Sequence, residues 1–99
     1  MYTRQGYLYL MEKKAFGTTW VKTFCQYQKE NRLFTMIAYN QILNKIGNAE
    51  TITLKECNRR MSDSIEKRFC FDVVSDNFTT YTLQALSDED RKLWLEGNF

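Results

Sequence analysis

The chain has 99 residues, 43 % of them apolar and 15 of them aromatic, which suffices for one domain core and not for two. Fourteen basic against twelve acidic side chains leave a net charge of +2, too mild to point to nucleic acid. There is no histidine, so the commonest general base and a common zinc ligand are both missing.

The charge is unevenly spread. Residues 1–68 sum to +6 and residues 69–99 to −4, a division that predicts a polarised surface. Cys25, Cys57 and Cys70 are three in number, scattered and never in C-x-x-C spacing. They predict buried free thiols in a reducing compartment rather than a disulfide or a metal site, and no metal or other cofactor is expected. The longest apolar run, Tyr7–Met11, is far too short for a bilayer span or a signal-peptide core. The expectation is a cytosolic protein whose membrane contact, if any, is peripheral.

In chain order, residues 5–12 form an aromatic and leucine-rich strand, followed by strands over 19–28 and 32–38 with a tight turn at Lys29-Glu30-Asn31. Residues 39–50 read as a longer connection with Asn and Gly punctuation. In 51–57, Ile52 and Leu54 alternate with Thr51, Thr53 and Lys55, and 58–62 reads as a short irregular strand. The alternation is clearest in 67–74, on Phe69, Phe71 and Val73, and in 79–86, on Tyr81, Leu83 and Ala85. Half-polar strands at this spacing predict an antiparallel sandwich or barrel.

Only the end reads as helical. Ser87 is an N-cap before Asp88-Glu89-Asp90, where carboxylates favour the positive helix end. Leu93 and Trp94 are expected to face the core. The fold class is therefore mainly β: seven antiparallel strands in two packed sheets, a partly open barrel, capped by one C-terminal α-helix.

Gly6-Tyr7-Leu8 in the first strand, Trp20 opening the second, Phe69-Cys70-Phe71 and a final helix carrying Trp94 resemble the pattern of a pleckstrin-homology (PH) domain. Over longer stretches, GYLYLMEKKAFGTTWVK, DSIEKRFCFDV and LQALSDEDRKLWLE are similar to the PH domain of the GRAF and oligophrenin family. That family places a BAR domain before the PH domain and a Rho GTPase-activating domain after it. The resemblance implies the seven-strand, one-helix fold over a core of about residues 4–96. It also implies that residues 1–99 are a single module of a larger protein.

No catalytic residue is expected. The carboxylates Asp63, Glu66, Asp72 and Asp76 show no pairing, and no nucleophile–base set or glycine-rich phosphate loop is present. The family's GTPase-activating chemistry uses an arginine of a separate domain, so a Rho-family GTPase is a partner only of the parent protein. Nucleic acid is not an expected partner, because the aromatics fall on alternating core positions.

Anion binding has more to rest on. Lys13 and Lys14 lie where the first strand gives way to a turn, with Phe16 and Gly17 after them. Lys22 is on the second strand, and Arg59 and Arg60 precede the loop before the sixth. A phosphorylated headgroup needs such cations to converge, arginine giving forked bonds and lysine a point charge. In PH domains that hold phosphoinositides tightly, basic residues stand where this chain has Leu10, Val21 and Thr23. The resemblance therefore implies weak, non-standard binding of phosphoinositides or phosphatidylserine at Lys13, Lys14, Phe16, Lys22, Arg59 and Arg60. The location would be peripheral, at plasma or endocytic membrane. The alternative is a protein-interaction module that docks on the BAR or RhoGAP domain without lipid.

Overall fold

The structure, a computed structural model, describes residues 3–39, 49–60 and 67–96. Among the described residues six strands precede one helix: β1 (Arg4–Lys14), β2 (Gly17–Gln28), β3 (Leu33–Ala38), β4 (Glu50–Arg59), β5 (Cys70–Ser75), β6 (Thr80–Gln84) and α1 (Asp88–Glu96). Each strand pairs antiparallel with the next, and β6 returns to β1, so the strands form one ring.

The β1–β2 hairpin sets the barrel wall. Its pairs run from Arg4↔Tyr27 to Lys14↔Gly17, and Gly17 takes the positive φ of 129° at the turn. Alternation turns Leu8, Cys25 and Tyr27 inward, where they are buried with Phe34, Met36, Ile52, Leu54, Phe71, Val73 and Leu83. Each large side chain buried this way contributes about 1.5–3 kcal/mol. The turn at Lys29-Glu30-Asn31 closes as expected: the Arg32 N–H donates to the Lys29 carbonyl at 3.2 Å.

The strand count departs from expectation. Asn58 and Arg59 do not start a new strand but continue β4, paired with Asp72 and Phe71. The first half of β4 pairs with β3 and the second with β5, with a register shift between Leu54 and Glu56. Such an irregularity lets one strand bend from one neighbour to the other. Residues 61–62 of the expected short strand lie outside the described residues, as do residues 40–48 of the connection after β3. The strand expected from residue 67 begins at Cys70, since Phe69 has a φ of 62°. Instead of two sheets there is one ring, whose seam between β1 and β6 is short: Tyr9↔Gln84 and Leu10↔Leu83.

Helix α1 closes one end of the barrel. The Asp90 N–H donates to the Ser87 Oγ at 3.0 Å, the expected N-cap. Trp94 is 1 % exposed. Its ring lies edge-on to Phe34 with centroids 6.0 Å apart. A Cβ at position 6 would sit 3.8 Å from the indole, an ordinary contact distance, so the ring lies close against β1. The expectation for Leu93 is wrong: it is 54 % exposed. At about 100° per residue, Arg91, Trp94 and Leu95 share one arc and Leu93 falls opposite.

Two arginines clamp the helix. Arg4 Nη2 donates to Asp90 Oδ1 at 2.9 Å, with its guanidinium 5.4 Å from the Trp94 ring centre. Arg91 is buried and donates to the carbonyls of Cys70 at 3.3 Å and Arg60 at 3.4 Å, and to Asp88 Oδ1 at 2.7 Å. The hydrogen bond from Arg91, with Lys92 and Arg59 nearby, holds the Asp88 carboxyl below its usual range.

All three cysteines are free thiols, Cys25 and Cys70 buried and Cys57 half-buried. Burial pushes each thiol up, Cys57 to about 12.

Trp94→Ala removes the plug of the closed end and is expected to cost about 3–5 kcal/mol. Leu93→Ala, on the opposite side of the same helix, is expected to stay within about 0.5 kcal/mol. Chemical denaturation of the two variants measures both; equal losses would place Leu93 in the core after all.

Candidate functional site

The cationic residues singled out in the sequence are divided among several surfaces. Lys13 and Lys14 end β1, both exposed, and Phe16 follows in the turn before Gly17. Phe16 is 103 % exposed, so nothing among the described residues covers its ring. Lys14 Nζ lies 3.1 Å from Glu12 Oε2.

Beyond its two-pair seam, β1 separates from β6. The split opens a groove of about 630 Å³ lined by Lys13, Met11, Glu12, Glu50, Arg60 and Tyr81, among others. Arg60 therefore joins Lys13. Its Nη1 is 3.1 Å from Asp72 Oδ2, while Asp72 Oδ1 accepts from the Thr82 hydroxyl at 2.7 Å. Arg59 turns to the helix instead, 3.9 Å from Asp88 Oδ1. Lys22 faces outward from the wall, as the alternation predicts, with Nζ 4.9 Å from the Tyr7 ring centre and 4.6 Å from that of Tyr39. The fold thus gathers Lys13 and Arg60 in one groove beside the Lys14 and Phe16 turn, and it places Arg59 and Lys22 on other surfaces.

The inner mouth of the barrel is a smaller cavity of about 170 Å³. Leu10, Val21 and Thr23 line it, the three positions at which the resemblance implies a cation in PH domains that hold phosphoinositides tightly. Glu12 and Glu50 line it too, and the sequence reading passed over both. Glu12 has the same parity as Leu8 and Leu10, so its inward direction was available from alternation. Glu50 has the same parity as Ile52 and Leu54, so its inward direction was available in the same way. The Tyr81 hydroxyl donates to Glu50 Oε1 at 2.7 Å. Burial together with this hydrogen bond pushes the Tyr81 phenol up to about 12. Glu12 and Glu50 line both the mouth and the groove and repel a polyphosphate there, so the better-equipped place for an anion is the turn beside them, with Lys13 and Lys14.

Comparison with known proteins gives this geometry a family. A PH-domain profile matches residues 2–97. This chain belongs to the PH domain family. Rho GTPase-activating protein 26 of Xenopus tropicalis is 56 % identical over 98 residues, covering 97 % of this chain and 13 % of that protein. Human oligophrenin-1 is 47 % identical over 96 residues, covering 96 % of this chain and 12 % of that protein. The relatives bear out the resemblance to the GRAF and oligophrenin family, and the chain spans about an eighth of their length. The crystal structure of the C-terminal PH domain of pleckstrin, in complex with D-myo-Ins(1,2,3,4,5)P5, superposes with a TM-score of 0.71 at 18 % identity. It covers 98 % of this chain and 94 % of that one, a likeness of fold. A PH domain is a non-catalytic module, and the GTPase-activating domain of the relatives is not in this chain.

The Tyr81–Glu50 contact makes the mouth of this PH domain sensitive to alkali. A phenol whose value is raised on folding keeps its proton in the native state. The stability tied to it is whole below the unfolded value near 10 and is lost as pH rises towards about 12. Ultraviolet titration is expected to show Tyr81 among the late-ionising tyrosines, at about 12, with Tyr27 also raised by burial. Glu50→Gln should bring Tyr81 part of the way back, and Tyr81→Phe should remove its ionisation.

Proposed function

We propose that this PH domain helps hold a Rho GTPase-activating protein on anionic cytoplasmic membrane, with the β1–β2 turn leading. The observation that carries the reading is the turn itself: Phe16, wholly exposed, follows closely on the exposed Lys13 and Lys14. A phenylalanine that fills no core is costly in water and gains by entering the headgroup boundary. Lysines near an anionic surface contribute about 1 kcal/mol each.

Binding of this kind is weak and largely electrostatic. Glu12 and Glu50 turn a polyphosphate headgroup away from the inner mouth. Phosphatidylserine and phosphoinositides would then be distinguished by charge more than by stereochemistry. A neighbouring BAR domain in the parent protein would supply most of the avidity. The placement is peripheral, at plasma or endocytic membrane. The GTPase is met by the separate activating domain.

Co-sedimentation with vesicles tests this, using phosphatidylserine or a bisphosphorylated phosphoinositide at matched charge, each at two salt concentrations. Reversing Lys13 and Lys14 to Glu should lower binding by about tenfold or more at low salt and by less at high salt, since the attraction is screened. Phe16→Ser should lose what binding persists at high salt. Parent-like binding by both variants would remove the turn from the membrane.

A further inference from the structure

We propose that the outer wall formed by β1, β2 and β3 docks a protein partner that presents an apolar face with a carboxylate at its centre. An antiparallel wall facing water is ordinarily polar on its outer positions. This one is not. With Leu8, Cys25, Phe34 and Met36 buried inside, alternation turns Tyr7, Tyr9 and Met11 outward from β1, Trp20 and Phe24 from β2, and Ile37 from β3.

The register arranges these side chains in rows. Met11 is opposite Trp20, Tyr9 opposite Lys22, and Tyr7 opposite Phe24, which in turn faces Ile37. The Tyr7 and Phe24 ring centres are 5.1 Å apart, and Tyr39 meets Tyr7 edge-on at 5.8 Å. The next row is polar: Gln26 donates to Gln5 at 3.1 Å, and the Thr35 and Thr51 hydroxyls are 3.1 Å apart. An aromatic centre with a hydrogen-bonded polar border is the anatomy of a protein interface, in which Tyr, Trp, Phe and Met are enriched. Helix α1 does not cover this wall; it lies across the end of the barrel, with Trp94 against Phe34.

Lys22 decides the chemistry of the occupant. It is the one charge within these aromatic rows, held over the Tyr7 and Tyr39 rings. Among the described residues no carboxylate lies within ion-pair distance of it. Covering a cation without an opposite charge leaves it buried and uncompensated, so the partner must bring the carboxylate. A second copy of this chain docked wall to wall would bring Lys22 against Lys22, which disfavours self-association through this face. A bilayer would meet the protruding Phe16 turn in preference to a flat wall with a lysine in its middle.

Selection of a random 12-residue peptide library displayed on phage, against the 99-residue chain, tests the assignment. The expected consensus pairs Asp or Glu with large apolar residues, and the selected peptides shift the amide signals of Tyr7, Lys22, Phe24 and Ile37. Lys22→Glu is exposed and should keep the parent's melting midpoint. It should weaken those peptides by about tenfold or more, and its own selection should turn the consensus from acidic to basic. Tyr39→Ser, which removes one ring beside Lys22, should weaken the parent's peptides as well. A consensus without an acidic residue, or one indifferent to Lys22→Glu, would overturn the proposal. So would signals on this wall that move with phosphatidylserine vesicles and with no peptide.

Discussion

The β1–β2 ladder determines most of what this PH domain can do. Its register runs unbroken from Arg4↔Tyr27 to Lys14↔Gly17, and a slip of one residue would exchange every inner and outer side chain. In the observed register Leu8, Cys25 and Tyr27 reach the core, while Leu10, Val21 and Thr23 line the barrel mouth. Tyr7, Phe24 and Lys22 are left outside, and the Phe16 turn is carried at the tip. The core, the poorly equipped mouth, the aromatic wall and the leading turn are thus consequences of one pairing.

The helix adds a second constraint, which is electrostatic. The first 68 residues are positive and the rest negative, yet the fold does not leave these charges as two opposed patches. Arg4 meets Asp90, Arg59 approaches Asp88 and Arg60 meets Asp72, so each pair joins the positive part of the chain to the negative part. Individually such contacts at a partly exposed site are worth about 0–1 kcal/mol. Their larger effect is to engage arginines in holding α1 and β5 in place. The lysines of the β1–β2 hairpin are less engaged: Lys13 and Lys22 have no ion-pair partner among the described residues.

Period-two alternation explains which parts of this were legible in the sequence. It identified the strands, the inward row and the outward direction of Lys22, because side-chain direction in a strand depends only on parity. It did not identify what each arginine meets. Arg4 and Asp90 are 86 positions apart, and no local pattern encodes a contact brought about by barrel closure. Leu93 was misread because a helix of nine residues gives too few turns for a stripe to declare itself. The bend of β4 was misread as a strand boundary, since a register shift and a break between strands both interrupt the same alternation. The parity of Glu50 with Ile52 and Leu54 gives its inward direction, whereas its place at the mouth depends on the pairing with Met36, a non-local contact.

Stiffness links the two surfaces of the hairpin. Tip and wall belong to one continuous ladder, whose wall half is also paired to β3 from Thr23↔Ala38 onwards. A hairpin paired in this way moves as a unit. When the Phe16 turn is held at a bilayer, the orientation of the aromatic wall is therefore restricted as well. The turn projects along the strands, whereas the wall faces perpendicular to them. A partner on the wall and lipid at the tip approach from different directions, and the hairpin can accept both at once. If the turn holds the membrane as proposed, attachment raises the effective concentration of the wall for any partner on the same surface. On these two proposals, weak lipid contact and weak protein contact would reinforce each other without either becoming tight.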